Sequence, residues 1–164
     1  MRTRRSARVV LFDTDERLLL CKVKDATVRA PGDPIPEIFW ATIGGALEEG
    51  EDYVDAACRE TFEETGIDDV DLGPWIWERE LRLDWRGELV RSYERYFFAR
   101  TRAADVVFDH LGAAERDVFQ GYRWWSLEEL RAAAEVETFR PPELLELVQS
   151  VIVDGCPPMP LRIA

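Results

Sequence analysis

The 164-residue sequence predicts an α+β fold. Three observations carry the prediction. Paired apolar runs with short polar turns between them mark β-hairpins. A 3.6-residue apolar repeat across residues 52–67 marks a helix. Strand and helix signals mix along the chain without repeats, low-complexity tracts or a linker. This is the pattern of helices packed on sheets within one domain, residues 1–164.

The elements follow in order. "ARVVLFDTDERLLLCKVK" reads as a hairpin, with apolar runs at residues 9–12 and 18–21 around a polar turn at 13–17. "DATVRAPGDPIPE" is rich in Pro and Gly and reads as a loop. "IFWATIGG" is a short apolar strand ending in a glycine pair. Asp52 then suits an N-cap, with Asp55 three residues on. Val54, Ala57, Cys58, Thr61 and Phe62 fall at helical spacing and are expected to form the buried face. Gly66 is placed to stop the helix. The stretch from Leu72 to Arg102 predicts two long strands with a turn near residues 84–87. "ADVVFDHLGAAERDVFQG" reads as a loop with a short helix. "YRWWSLEEL" is a strand running into a helix, with Ser126 and Glu129 as a capping box. A last helix is expected from near Pro142 to about Val153, and the tail "DGCPPMPLRIA" is expected to be irregular.

Composition narrows the function. Hydrophobic residues make up 46% and charged residues 33%, as in a folded globular chain. No apolar run is long enough to span a membrane as a helix. The N-terminal apolar run is too short for a secretory leader, and the cytoplasm is the expected location. Cys21, Cys58 and Cys156 are far apart and odd in number, and His110 is the one histidine. Disulfides and a structural zinc site are therefore not expected. A net charge of -12 repels nucleic acid, so such partners are not expected. It is compatible with a small phosphorylated substrate screened by a cation.

The stretch "GALEEGEDYVDAACRETFEETGI" carries the chemistry. Glu60, Glu63 and Glu64 lie at i, i+3 and i+4, so their side chains are neighbours on the helix. At about 100° per residue they fall on an arc away from the expected core face. Three such carboxylates repel one another, and the C-terminal end of a helix favours cations instead. Water, arginine or a metal must offset that cost. An all-oxygen donor set suits Mg²⁺, Mn²⁺ or Ca²⁺ and not zinc or copper. A lone E-x-x-E-E in an acidic chain is usually a solvated surface. The framing residues reverse that reading.

Gly45, five residues, Glu51, seven residues, Arg59-Glu60, Thr61, Phe62, Glu63-Glu64, Thr65, Gly66 and Ile67 match the signature of the Nudix (MutT-like) hydrolases. All seven fixed positions agree. Thr61 departs from the usual aliphatic residue. "FWATIGG" resembles the strand that often ends Pro-Gly-Gly in this family, with Ile43 in the proline position. The resemblance implies an α/β/α sandwich with a mixed central sheet. It implies a Mg²⁺- or Mn²⁺-dependent hydrolase of a diphosphate linkage in a nucleoside diphosphate derivative. It implies metal ligation by Glu60, Glu63, Glu64 and the Gly44 carbonyl, and places Glu63, Glu64 and Arg59 in the catalytic machinery. Glu51 would pair with Arg59, and Gly45 would permit a tight turn. A later acidic residue often serves as base or extra ligand in this family: Glu115 is the candidate, with Asp117 and Asp109 as rivals.

Other residues are weighed on their own chemistry. A lone loop histidine such as His110 is more often structural than catalytic. Cys58 is expected in the core and lacks a base partner. Trp40, or Phe12 on the first strand, is a candidate for stacking on a nucleobase. Arg79, Arg82, Arg91 and Arg95 are expected on strands bordering the pocket, where each could hold phosphate or a surface ion pair. Many relatives of this kind are homodimers, and the aromatic-rich strands after Gly73 are the expected interface. Two alternatives stand beside the hydrolase. An isoprenoid diphosphate isomerase on the same fold usually needs a reactive cysteine and more histidines. A nucleotide-sensing or protein-binding module commonly loses box carboxylates, and all are present here.

Overall fold

The computed structural model describes residues 1–29, 35–103, 105–107 and 117–164. Nine strands and three helices are seen among them. They are β1 Arg2–Phe12, β2 Leu18–Lys24, β3 Val28–Arg29, β4 Ile38–Ala46, α1 Tyr53–Thr65, β5 Val70–Trp85, β6 Glu88–Thr101, β7 Phe119–Trp125, α2 Leu127–Ala133, β8 Phe139–Arg140, α3 Leu144–Asp154 and β9 Leu161–Ile163.

All nine strands join one mixed sheet in the order β3-β5-β6-β1-β2-β4-β8, with β7 on β2 and β9 on β5. β1 is its spine. It runs parallel to β6 from Arg2↔Val90 to Phe12↔Arg100, and antiparallel to β4 from Ser6↔Ala46 to Val9↔Ile43. Alternation along β1 sends successive side chains to opposite faces. Ala7, Val9 and Leu11 pack with Ala56 and Ala57 of α1. Val10 and Phe12 pack with Leu130 of α2 and Leu144, Val148 and Val151 of α3. The result is the expected helix–sheet–helix sandwich. The first hairpin turn is closed by Asp13, whose carboxylate accepts from the Arg17 side chain at 2.7 Å and backbone N–H at 2.8 Å.

The local signals hold. Asp52 caps α1, accepting from the Asp55 N–H at 2.9 Å, and Gly66 ends the helix in the left-handed region at φ 71°. Ser126 and Glu129 form the capping box at α2.

Four expectations are corrected. Of the face expected on α1, Ala57 and Thr61 are buried but Val54, Cys58 and Phe62 are not. Val54 is 49% exposed, Phe62 is 40% exposed and Cys58 is also exposed. The buried residues are Ala56, Ala57, Glu60, Thr61, Glu64 and Thr65, a face rotated by about 80° around the axis. Small Ala and Thr side chains permit close packing on the sheet, and the Thr61 hydroxyl is satisfied by the Ala57 carbonyl at 2.7 Å. Second, the tail forms β9, which pairs with Trp77–Arg79 of β5. Third, Phe12 (2% exposed) and Trp40 (7% exposed) lie in the core beneath α2 and α3. Trp40 meets Trp125 edge-on with ring centroids 5.1 Å apart. Fourth, Gly45 lies inside β4 and not in a turn. Trp77, one of the aromatics after Gly73, is also core, at 1% exposed.

The rotated face of α1 predicts opposite responses at neighbouring positions. Val54→Ser should change stability by less than about 0.5 kcal/mol. Ala57→Leu should cost about 1–3 kcal/mol through overpacking. Urea unfolding of the two variants checks this.

Candidate active site

β4 delivers the glycine pair to α1. Gly44 has φ 129°, and a Cβ there would lie 2.1 Å from the Ala7 carbonyl oxygen. Gly45 is needed for a different reason. Its missing side chain is the space Glu60 occupies, since a Cβ would lie 2.4 Å from the Glu60 carboxyl. Glu60 and Glu64 are therefore buried, at 7% and 2% exposed, rather than solvated on an outer arc. Glu64 accepts the Gly44 N–H at 3.0 Å.

Arg59 organises the rest of the helix. Its Nε and Nη2 grip both Glu51 oxygens at 2.8 and 2.9 Å. Nη1 reaches Glu60 and Glu63, each at 3.0 Å, and Nη2 also reaches the Ala46 carbonyl at 3.0 Å. The bond to Glu51, with Glu60 and Glu63 behind it, raises the guanidinium's pKa. Conversely, the hydrogen bond from Arg59 holds Glu51 below the usual carboxylate range. Glu51 and Arg59 thus pair as the resemblance implies.

A cavity of about 410 Å³ opens beside this helix. Glu60, Glu64, Gly44 and Gly45 form one wall. Arg4 and Arg8 of β1, Arg79 of β5, and Glu94 and Tyr96 of β6 form its polar floor. Phe39, Val23 and Phe119 form an apolar row across β4, β2 and β7, set by the registers Val23↔Phe39 and Val23↔Phe119. Burial would raise the Glu94 carboxyl, but Arg8 and Arg79 outweigh it and hold the group low. Burial and the neighbouring Arg8 pull Arg4 down to about 10. Arg79 also donates to the Ala164 backbone oxygen.

Of the strand arginines expected at the pocket, Arg79 lines it. Arg91 pairs with Glu80 at 3.5 Å, Arg95 lies 3.9 Å over the Trp75 ring, and Arg82 is exposed. Neither Trp40 nor Phe12 lines the cavity. Glu115, Asp109 and His110 lie outside the described residues. Asp117 is exposed, next to the cavity-lining Val118. Arg8, Glu94 and Tyr96 were not found from the sequence. The sequence carried no clear signal for them, since polar residues such as Arg5, Arg91 and Arg95 also fill the alternate positions of these strands.

Among the described residues, no group of three Asp, Glu, His or Cys side chains is gathered tightly enough to hold a metal ion. Glu63 is turned to Arg59. On the α1 wall of the cavity the donors are the Glu60 and Glu64 carboxylates and the backbone of Gly44, while Glu94 of the floor is turned to Arg8. This all-oxygen set fits Mg²⁺ or Mn²⁺ with water and phosphate completing the shell.

The NUDIX domain model matches residues 2–147. This chain belongs to the NUDIX family. The NUDIX chain is 32% identical over 127 residues to a protein named nucleoside triphosphatase NudI from Salmonella agona (strain SL483), covering 73% of this chain and 80% of that one. Its fold matches the MutT protein from Methanosarcina mazei Go1, with a TM-score of 0.65, 19% identity and coverage of 94% and 96%. It also matches a C. elegans Ap4A hydrolase complex, with a TM-score of 0.62, 21% identity and coverage of 93% and 98%. Like its relatives, this NUDIX chain is a hydrolase of phosphorus-containing acid anhydrides. No helix among the described residues is long and apolar enough to cross a membrane.

The cavity wall and the Glu51–Arg59 pair behind it can each be tested. Gly45→Ala drives a methyl into Glu60, so activity should fall on the order of 10²-fold with the circular dichroism spectrum kept. Glu51 is depressed in the fold, so its stabilisation is complete above about pH 4.3 and lost as pH falls through its lowered value. Glu51→Gln should therefore lower the Tm at neutral pH and flatten its decline in acid, as thermal melts across that range will show.

Proposed function

We propose that this chain hydrolyses the diphosphate linkage of a nucleoside diphosphate derivative in a Mg²⁺- or Mn²⁺-dependent reaction. One observation carries the reading: the Glu60–Glu64 pair and the guanidiniums of Arg4, Arg8 and Arg79 face the same cavity. Carboxylates for a cation and arginines for phosphate oxygens therefore bound one volume. A nucleoside triphosphate is the first substrate class, in keeping with the name of the curated relative.

Each part of the substrate has a place in this reading. The row Phe39, Val23, Phe119 takes the base, with adjacent strands about 4.8 Å apart and an aromatic ring at either end. Trp40 and Phe12, the candidates by residue type, are packed in the core instead. Arg4 and Arg79 hold phosphate oxygens beyond the carboxylate wall. Gly44, Glu60 and Glu64 would hold the cation, with Glu63 joining them if it leaves Arg59. When bound, that cation screens the phosphates and lowers the pKa of water. Arg59 orients Glu60 and Glu63. A carboxylate accepts the proton of the attacking water, with Glu63, Glu64 and Glu115 as the candidates and Asp117 as a rival.

The test is product release from nucleoside triphosphates, nucleotide sugars, ADP-ribose and dinucleoside polyphosphates, with Mg²⁺, Mn²⁺ or chelator. Cleavage of one class that stops in chelator is expected. Glu63→Gln or Glu64→Gln should lower kcat by about 10²-fold or more with the fold kept. Near-wild-type turnover in both would refute the assignment. Phe39→Ala should raise KM by roughly tenfold with little change in kcat. Tight nucleotide binding without turnover of any compound would favour a sensing module instead.

A further inference from the structure

Gly44 is pinned on both sides. Its N–H donates to Glu64 at 3.0 Å, and its carbonyl accepts from Arg8 Nη1 at 3.1 Å. Arg8 is held from behind. Its Nε and Nη2 donate to one Glu94 oxygen at 3.2 and 3.1 Å, and the Tyr96 hydroxyl donates to the other at 2.8 Å. The strand registers Arg8↔Gly44 and Arg8↔Tyr96 set this alignment. Glu94 is 6% exposed, while 23% of the Arg8 side chain is open to the cavity.

The guanidinium therefore stands between Glu94 and the glycine carbonyl. Seen from the carboxylate wall, this ion pair is not neutral, because the nearer charge dominates at short range. Its positive end is directed at Gly44. On the other side, Arg59 Nη1 lies on Glu60. Two guanidiniums thus flank the Glu60 and Glu64 wall.

We propose that Arg8, backed by Glu94, is a positioning residue that fixes the Gly44 carbonyl and keeps the carboxylate wall too positive to hold a bare divalent cation tightly. The cation is then retained when a phosphorylated substrate adds negative charge. This inference rests on the metal-dependent reading above. It assigns Arg8 a sign: the residue opposes cation binding and favours the cation–substrate complex.

A purely structural ion pair makes a different prediction. Removing either partner of a buried pair leaves an uncompensated charge and weakens the fold, so both variants should damage the site alike. The charge-setting role gives opposite signs. The test titrates Mn²⁺ alone, without nucleotide, into the folded protein by calorimetry. Arg8→Met should bind Mn²⁺ on the order of tenfold more tightly than wild type, and Glu94→Gln more weakly by a similar factor. Arg8→Met should also raise KM for the nucleotide. If Arg8→Met does not fold, the neutral pair Arg8→Met/Glu94→Gln leaves no buried unpaired charge and should still bind Mn²⁺ more tightly than wild type. Shifts of the same sign in the two single variants, or no shift in any variant, overturn the proposal. Wild-type hydrolysis that survives chelator overturns the metal-dependent reading as well. Chelator-sensitive hydrolysis without the opposite shifts overturns Arg8's role alone.

Discussion

The close approach of α1 to the bare backbone of Gly44 and Gly45 is the constraint on which the site depends. A side chain at either glycine would strike the neighbouring strand or the Glu60 carboxyl. Because neither carries one, two glutamates can be buried against a strand, where isolated carboxylates would be very costly. The Gly44 N–H and the Arg59 fork supply the hydrogen bonds that burial demands. Helix packing, strand geometry and site chemistry are thus one arrangement.

That arrangement explains why α1 turns an apolar stripe outward. A hydrophobicity rule would place Val54 and Phe62 against the sheet. Ala56, Ala57, Thr61 and Thr65 take that position instead, since small side chains let the glutamates reach the glycines. Apolar burial gives way here to geometry. The loss is tolerable because the main cores are supplied by the strands and by the other helices.

Signals that act over a few residues were legible in the sequence. Asp52 and Gly66 bound the helix, Ser126 and Glu129 form their box, and the Glu51–Arg59 pair follows from the signature. The rotation of α1 was not legible, because it depends on what lies opposite the helix. Arg8 and Glu94 were missed for the same reason. They are 86 positions apart and meet because β1 pairs with β6. The β9 pairing escaped because "LRI" is too short to carry a period and is ordered by β5. Trp40 and Phe12 have the right chemistry for stacking but face the helices on the other part of the sheet.

The β1–β6 pairing also has a consequence for the order in which the chain can assemble. Residues 2–12 find their parallel partner in residues 90–100, so the spine of the sheet closes a loop of more than half the chain. Such a contact repays its closure entropy late, and ladders of this kind form slowly. During synthesis the N-terminal strand is made first, yet its parallel edge stays open until β6 has emerged. Until then, the Arg8–Glu94 bond cannot form. The polar floor of the cavity is therefore completed only once residues 79–96 have followed, although Arg4 and Arg8 are translated first.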